Sequence, residues 1–234
     1  CDTIYLYINF FKTKKQEVST MKKKQLFVSN YTRQGMDNLQ DFMSCKEFEE
    51  RRNLFFKIAD LFDENEIVWA LGCSSNLFFR GIVDDFNDYD IIVEKSSVDS
   101  AINLLSLLGG NILETGCNDC CKSDSYCHFR CGVCDVDLIS GFRIKTFGTI
   151  FYYDFNPSEI EVLNLEYLSV PVVPAETLFV LYAMMEGWQR RRRYKRELLF
   201  KYLTENLHQP QILKRAKNSY NLPEWLNAFI DKLV

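Results

Sequence analysis

IVWALGCSSNLFFRGIVDDFNDYDIIV, residues Ile67 to Val93, is the stretch from which the rest of the chain is read. The apolar run Ile67-Val68-Trp69-Ala70-Leu71 predicts a strand, and Gly72-Cys73-Ser74-Ser75 a tight small-residue turn. A helical segment, Asn76 to Ile82, comes next, and Asp88-Tyr89-Asp90 then runs straight into the apolar Ile91-Ile92-Val93. Asp88 and Asp90 share one face of a strand because side chains alternate along it. Two carboxylates side by side at the head of an apolar strand repel each other, which is costly unless a cation lies between them. The turn upstream can present backbone N–H groups to a phosphate at a helix N-terminus. Together these features imply a metal-plus-nucleotide site.

The composition is compatible with that reading. The chain has 234 residues, 47% of them hydrophobic and 15% aromatic, enough to build a sizeable core and too apolar for a disordered chain. A net charge of -4 argues against a nucleic-acid binder that relies on overall charge, so nucleic acid is not an expected partner. No apolar run reaches the length of a membrane span, no secretory signal is evident, and the expected home is the cytoplasm. Residues 1–20 (an aromatic YLYINFF, then a basic KTKKQ) differ in character from the rest of the chain, and Met21 reads as the natural start, so 1–20 is taken as a leader or non-native extension.

Outward from the central stretch, Ser44 to Asp63 reads as a helix, with Ser44 as N-cap and Glu47 completing a capping box. Ser97 to Leu108 reads as a second helix, capped by Ser97 and stopped by Gly109-Gly110. Strands are predicted over Asn111–Thr115, Val133–Ile139, Arg143–Tyr153 and Ile160–Leu165, with Pro171 and Pro174 marking a boundary. Beyond it, Ala175–Trp188, Tyr194–Asn206, Gln211–Ser219 and Pro223–Leu233 read as helices. The expected class is α/β (α+β): a small mixed sheet with flanking helices over 44–170, then a helical C-terminal region over 171–234.

In order and spacing, these motifs resemble the polymerase-beta-like nucleotidyltransferase superfamily. Its pattern is a strand, a Gly-Gly/Ser turn, a helix, Asp-x-Asp on the next strand, and a later hydrophobic-Asp-hydrophobic strand. Here Leu71-Gly72-Cys73-Ser74 matches the turn, Asp88-Tyr89-Asp90-Ile91-Ile92-Val93 the second element and Val136-Asp137-Leu138-Ile139 the third. With the helix Ala175–Trp188 and the basic segment after it, the chain is most similar to small bacterial enzymes of the lincosamide and aminoglycoside nucleotidyltransferase type. Cys73 departs from the pattern, standing where the family usually has Gly or Ser, and a negative φ is what would accommodate it.

The resemblance implies metal-dependent transfer of a nucleoside monophosphate, AMP from ATP, to a hydroxyl of a small-molecule acceptor. Asp88, Asp90 and Asp137 are the implied ligands of two Mg2+ ions, Asp137 is also able to take the acceptor's proton, and Gly72, Cys73 and Ser74 are the implied triphosphate contacts. Asp135 rivals Asp137 as third carboxylate, since the two share a face of a regular strand. Other readings stay open: an antitoxin-like or regulatory protein of the same fold acting on a protein partner, or an inactive nucleotide-binding module.

The cysteines pose a separate question. Nine are present, six of them between Cys117 and Cys134. Cys117, Cys120, Cys131 and Cys134 form two CxxC pairs with ten residues between them, a spacing that can hold Zn2+. On a regular strand the second pair would point to opposite faces unless the chain turns at Gly132, so reduced thiols are the favoured reading over zinc. The basic run Arg190 to Arg196 reads as a solvated helix face, a triphosphate contact or an RNA patch. Phe78, Phe79, Tyr182 and Trp188 read as core, and neither His128 nor His208 falls in a nucleophile motif.

Overall fold

The computed structural model describes residues 27–29, 32–116, 123–132, 134–164, 169–186 and 191–234. Residues 1–20, Cys117, Cys120 and Trp188 lie outside them. The N-terminal part runs β1 (Phe27–Ser29), α1 (Arg33–Ser44), α2 (Glu49–Glu64), β2 (Trp69–Leu71), α3 (Cys73–Phe79) and β3 (Asp88–Val93). Next come α4 (Val98–Leu107), β4 (Asn111–Thr115), β5 (Ser125–Cys131), β6 (Cys134–Ser140), β7 (Phe142–Thr146) and β8 (Thr149–Tyr153). The chain continues through β9 (Glu161–Asn164), β10 (Ser169–Val172), α5 (Ala175–Met185), α6 (Arg191–Glu205), α7 (Pro210–Ser219) and α8 (Glu224–Leu233).

Eight strands form one mixed sheet in the order β1-β9-β10-β2-β3-β6-β5-β4, and β7-β8 is a separate hairpin. The expected mixed α/β fold with a helical C-terminal region is present. Alternation along the central strands divides the core in two. Tyr89, Ile91 and Val93 of β3 and Val136 and Leu138 of β6 pack with α1, α2 and α4, where Phe42, Phe55 and Phe62 are buried. Ile92 and Ile139 point the other way, into a second cluster with Leu178, Phe179 and Tyr182 of α5. By the same alternation Asp88, Asp90, Asp135 and Asp137 belong to the face turned toward α5. All eleven residues of α5 are buried, as expected for a helix apolar on every side.

Several boundaries differ from those predicted. Ser44 ends α1, donating its hydroxyl to the Gln40 carbonyl oxygen at 2.6 Å, and caps nothing. Helix α2 begins only after a 3-10 turn over Lys46–Phe48, so the capping box is not formed. Ser97 likewise makes no side-chain cap to α4. Gly109 does stop that helix: its φ is +82°, and the Gly110 N–H returns to the Leu105 carbonyl oxygen at 3.1 Å.

The segment Arg143–Tyr153, predicted as one strand, is a hairpin. Thr146 pairs with Thr149 across Phe147 and Gly148, whose φ values are +49° and +74°, as a two-residue turn matching strand twist requires. A bulky Phe in that conformation is what hides the turn in the sequence. Strand β10 is absent from the predicted elements because Pro171 lies within it. Among the described residues no helix is long and apolar enough to cross a membrane.

Candidate active site

The site is built at the junction of β2, α3, β3 and β6. Strands β3 and β6 run parallel in a register that sets Asp88 beside Asp135 and Asp90 beside Asp137. Asp90 is 8% exposed. Burial, then the Asp88 and Asp137 carboxylates, push its pKa up to about 8. Burial also raises the pKa of Asp137, with a hydrogen bond from His128 acting against it.

The parallel register leaves both Asp135 and Asp137 next to the pair, and their partners on β5 differ. Antiparallel pairing sets His128 opposite Asp137 and Arg130 opposite Asp135. Asp137 Oδ1 lies 2.5 Å from His128 Nδ1, and the Tyr126 hydroxyl also bonds this carboxylate. Asp135 is gripped by both Arg130 Nε and Arg130 Nη2. A carboxylate held on two oxygens by a guanidinium is committed to that partner. Asp137 faces His128 and Tyr126 instead, and His128 Nε2 also lies 3.7 Å from Asp135 Oδ2.

The turn before α3 is held by its backbone. The Gly72 N–H donates to the Asp90 carbonyl oxygen at 2.8 Å, tying the turn to β3. A Cβ at Gly72 would come 3.0 Å from Ile92 Cδ1, so the absence of a side chain allows this approach. Ser74 Oγ donates to Asp88 Oδ1 at 3.3 Å. Cys73 has a φ of +37°, not the negative value that would spare it strain. The conformation usual for glycine is therefore kept with a side chain present, at a cost of about 1–2 kcal/mol. Burial, then Asp90, raise the thiol pKa well above its ordinary value, so Cys73 stays protonated and donates to Asp90. Cys73→Gly removes the strain and Cys73→Ala does not. The Gly variant is expected to be the more stable of the two by about 1 kcal/mol in urea unfolding, and equal midpoints would show that the turn is unstrained.

Positive charge reaches this site from the basic run. Arg192 and Lys195 of α6 both stand 5.6 Å from the ring centroid of Tyr182 and act electrostatically on Cys73 and Asp90. Burial lowers the Lys195 pKa. Their neighbours face elsewhere: Arg193 Nε pairs with Glu197 at 2.9 Å, and Arg196 Nε with Glu186 at 3.0 Å. The run thus divides by helical position, and only part of it serves the carboxylates. Tyr182, read as core, is core and also floors the site.

The carboxylates do not form a closed cage. Among the described residues no three His, Cys, Asp or Glu side chains converge as a ready-made cation site. The donor set nevertheless suits a hard divalent cation: burial, and then the repulsion of Asp88 and Asp137, raise the Asp90 pKa to about 8, and a cation held among the three carboxylates would offset both. Cys131 and Cys134 do face each other, because the chain turns at Gly132, where φ is +69°. Both are free thiols, and Cys117 and Cys120 lie outside the described residues.

No motif singles out His128 or Tyr126 as a group serving the carboxylates, whereas Arg192 and Lys195 fall in the basic run for which a triphosphate contact is one of the readings. A signal for the first two exists in the β5–β6 hairpin: once Cys131 is paired with Cys134, counting back places His128 opposite Asp137.

No family model matches the chain, and no curated protein matches its sequence. Solved structures do match in shape. A protein from Thermotoga maritima provisionally described as a nucleotidyltransferase superposes with a TM-score of 0.50 at 17% identity, covering 67% of this chain and 94% of its own. ANT(2″)-Ia, solved in complex with adenylyl-2″-tobramycin, gives a TM-score of 0.50 at 14% identity over 78% of this chain and 98% of its own. With the strand order and helical half already described, the chain has the nucleotidyltransferase fold of the polymerase-beta-like type.

Proposed function

We propose that this chain transfers a nucleoside monophosphate, AMP from ATP, to a hydroxyl group of a small-molecule acceptor. The observation that carries the reading is the adjacent register of Asp90 and Asp137, with Asp88 two residues before and Arg192 and Lys195 on the facing helix. The adenylylated ligand in ANT(2″)-Ia supports AMP as the transferred group. Asp88, Asp90 and Asp137 would hold Mg2+, which when bound would neutralise charge on the phosphate oxygens.

The chain's own groups would do the rest. Ser74 and the turn around Gly72 and Cys73 would receive the triphosphate, and Arg192 and Lys195 would balance its charge from the opposite side. Asp137, oriented by His128 and Tyr126, would accept the proton of the acceptor hydroxyl. The acceptor oxygen would bond to the α-phosphorus as the bond to pyrophosphate breaks. Burial against Tyr182 would limit water as a competing acceptor.

The test is pyrophosphate release from ATP and Mg2+ across a panel of hydroxylated small molecules, with Asp90→Asn and Asp137→Asn as controls. Acceptor-dependent release lost in both variants is the expected result. Triphosphate binding that is unchanged by removing Mg2+ and by both substitutions would overturn the reading. Lys195→Met is expected to lower kcat/KM about tenfold to a hundredfold, chiefly through KM for the triphosphate. Arg193→Met should leave both constants alone, since Arg193 is exposed and paired with Glu197.

A further inference from the structure

A cavity of about 330 Å3 lies between the β7–β8 hairpin and helices α5 and α7, and it shares no residue with the carboxylate site. Its walls include the rings of Phe151, Tyr153 and Tyr220. Helix α5 contributes Thr177 and Val180, three residues apart and so on one face. The volume is in the range of small-molecule pockets.

Two polar features of the wall suit a ligand. Thr177 is 3% exposed, and its hydroxyl has no hydrogen-bond partner. A buried hydroxyl left unpaired costs roughly 1–3 kcal/mol. Asp154, exposed on the wall, has no ion-pair partner among the described residues. Among the described residues the one Lys or Arg lining the cavity is Arg215, held on both nitrogens by Glu159, with Nη2 2.9 Å from Oε2. That pair is neutral as a unit, so Asp154 sets the local charge as negative. Nearby, the Tyr220 hydroxyl donates to the Tyr152 carbonyl oxygen at 2.8 Å, which closes one end of the wall.

We propose that this cavity binds a small aromatic amine carrying a further hydrogen-bonding group. Its ring would lie among Phe151, Tyr153 and Tyr220, its ammonium would face Asp154, and its polar group would meet the Thr177 hydroxyl. Cations are also attracted to the faces of tyrosine and phenylalanine rings. The site is independent of the reaction proposed above, because the residues that form it are not those of the carboxylate cluster.

The probe is tyramine, titrated into the full chain by calorimetry, with 3-(4-hydroxyphenyl)propionate as the same skeleton bearing a negative charge. Saturable tyramine binding at least about tenfold tighter than that of the carboxylate is expected. Thr177→Val should weaken it about tenfold. Ser219→Trp, at an exposed position on the rim, should abolish it without touching the core. Absence of saturable binding up to millimolar tyramine, equal binding of the two probes, or binding indifferent to Ser219→Trp would each overturn the proposal.

Discussion

Asp90→Asn is expected to give a protein that is more stable at pH 8 and inactive in nucleotidyl transfer. Asp90 has its pKa pushed up to about 8 by burial and by Asp88 and Asp137, whereas in the unfolded chain an aspartate titrates near about 4. The folded state therefore binds this proton more tightly than the unfolded state does. The stabilisation that goes with it is complete below about pH 4 and is lost as pH rises through about 8. Asparagine keeps the acceptor oxygen that Cys73 donates to but has no charge to bury. A gain on the order of 3 kcal/mol at pH 8, read as a rise of roughly 5–10 °C in Tm, is expected, with little difference at pH 4. Mg2+ should raise the Tm of the unsubstituted protein at pH 8 and leave that of Asp90→Asn unchanged. A variant less stable than the parent at pH 8, or one that Mg2+ stabilises equally, would show that Asp90 carries no such electrostatic cost.

Arg80→Met is expected to destabilise the fold by about 3–5 kcal/mol. Arg80 and Glu161 are both fully buried, with Nη2 2.6 Å from Oε2. The guanidinium also donates to Asn76 Oδ1 at 2.7 Å and to the Val173 carbonyl oxygen at 3.0 Å. Burial works against its charge, but Glu161 and Tyr202 more than offset this and raise the Arg80 pKa. Asn76 in turn donates to the carbonyl oxygens of Leu71 and Val173, both at 2.9 Å. One charged side chain thus joins α3 to β9, to the end of β10 and to α6. Removing it leaves the Glu161 carboxylate buried without its main counter-charge. The double variant Arg80→Met/Glu161→Leu should recover much of the loss, because no uncompensated charge remains. Urea midpoints for the two singles and the double measure this directly. A double variant as unstable as the sum of the singles would mean that the pair acts through packing and not through charge.

Tertiary pairing also explains which features a single sequence conceals. Ser44 and Glu47 have the pattern of a capping box, yet α1 runs through Ser44 because its apolar face, with Leu39 and Phe42, is claimed by the core. Helix α1 is absent from the predicted elements although Met36, Leu39, Phe42 and Met43 recur at helical spacing, and in the fold Phe42 packs among the rings of Phe55, Phe78 and Phe79. Pro171 reads as a break, but in β10 its missing N–H costs little because the strand is short and pairs with β2 only through Val172 and Leu71.

The sequence by itself determined the strand carrying Asp88 and Asp90, the later strand carrying Asp137, the turn at Gly72 and the helical C-terminal half. These arise from local periodicity and from turn residues, which act over a few positions and so are written in the chain. Only the tertiary structure decided that Asp90 and Asp137 stand side by side, that Arg130 takes Asp135 while His128 takes Asp137, and that Arg192 and Lys195 turn toward the site while Arg193 and Arg196 turn away. Strand register and helix docking join residues far apart in sequence, and they are set by the whole core: a slip of one residue in β6 would send Asp137 to the opposite face.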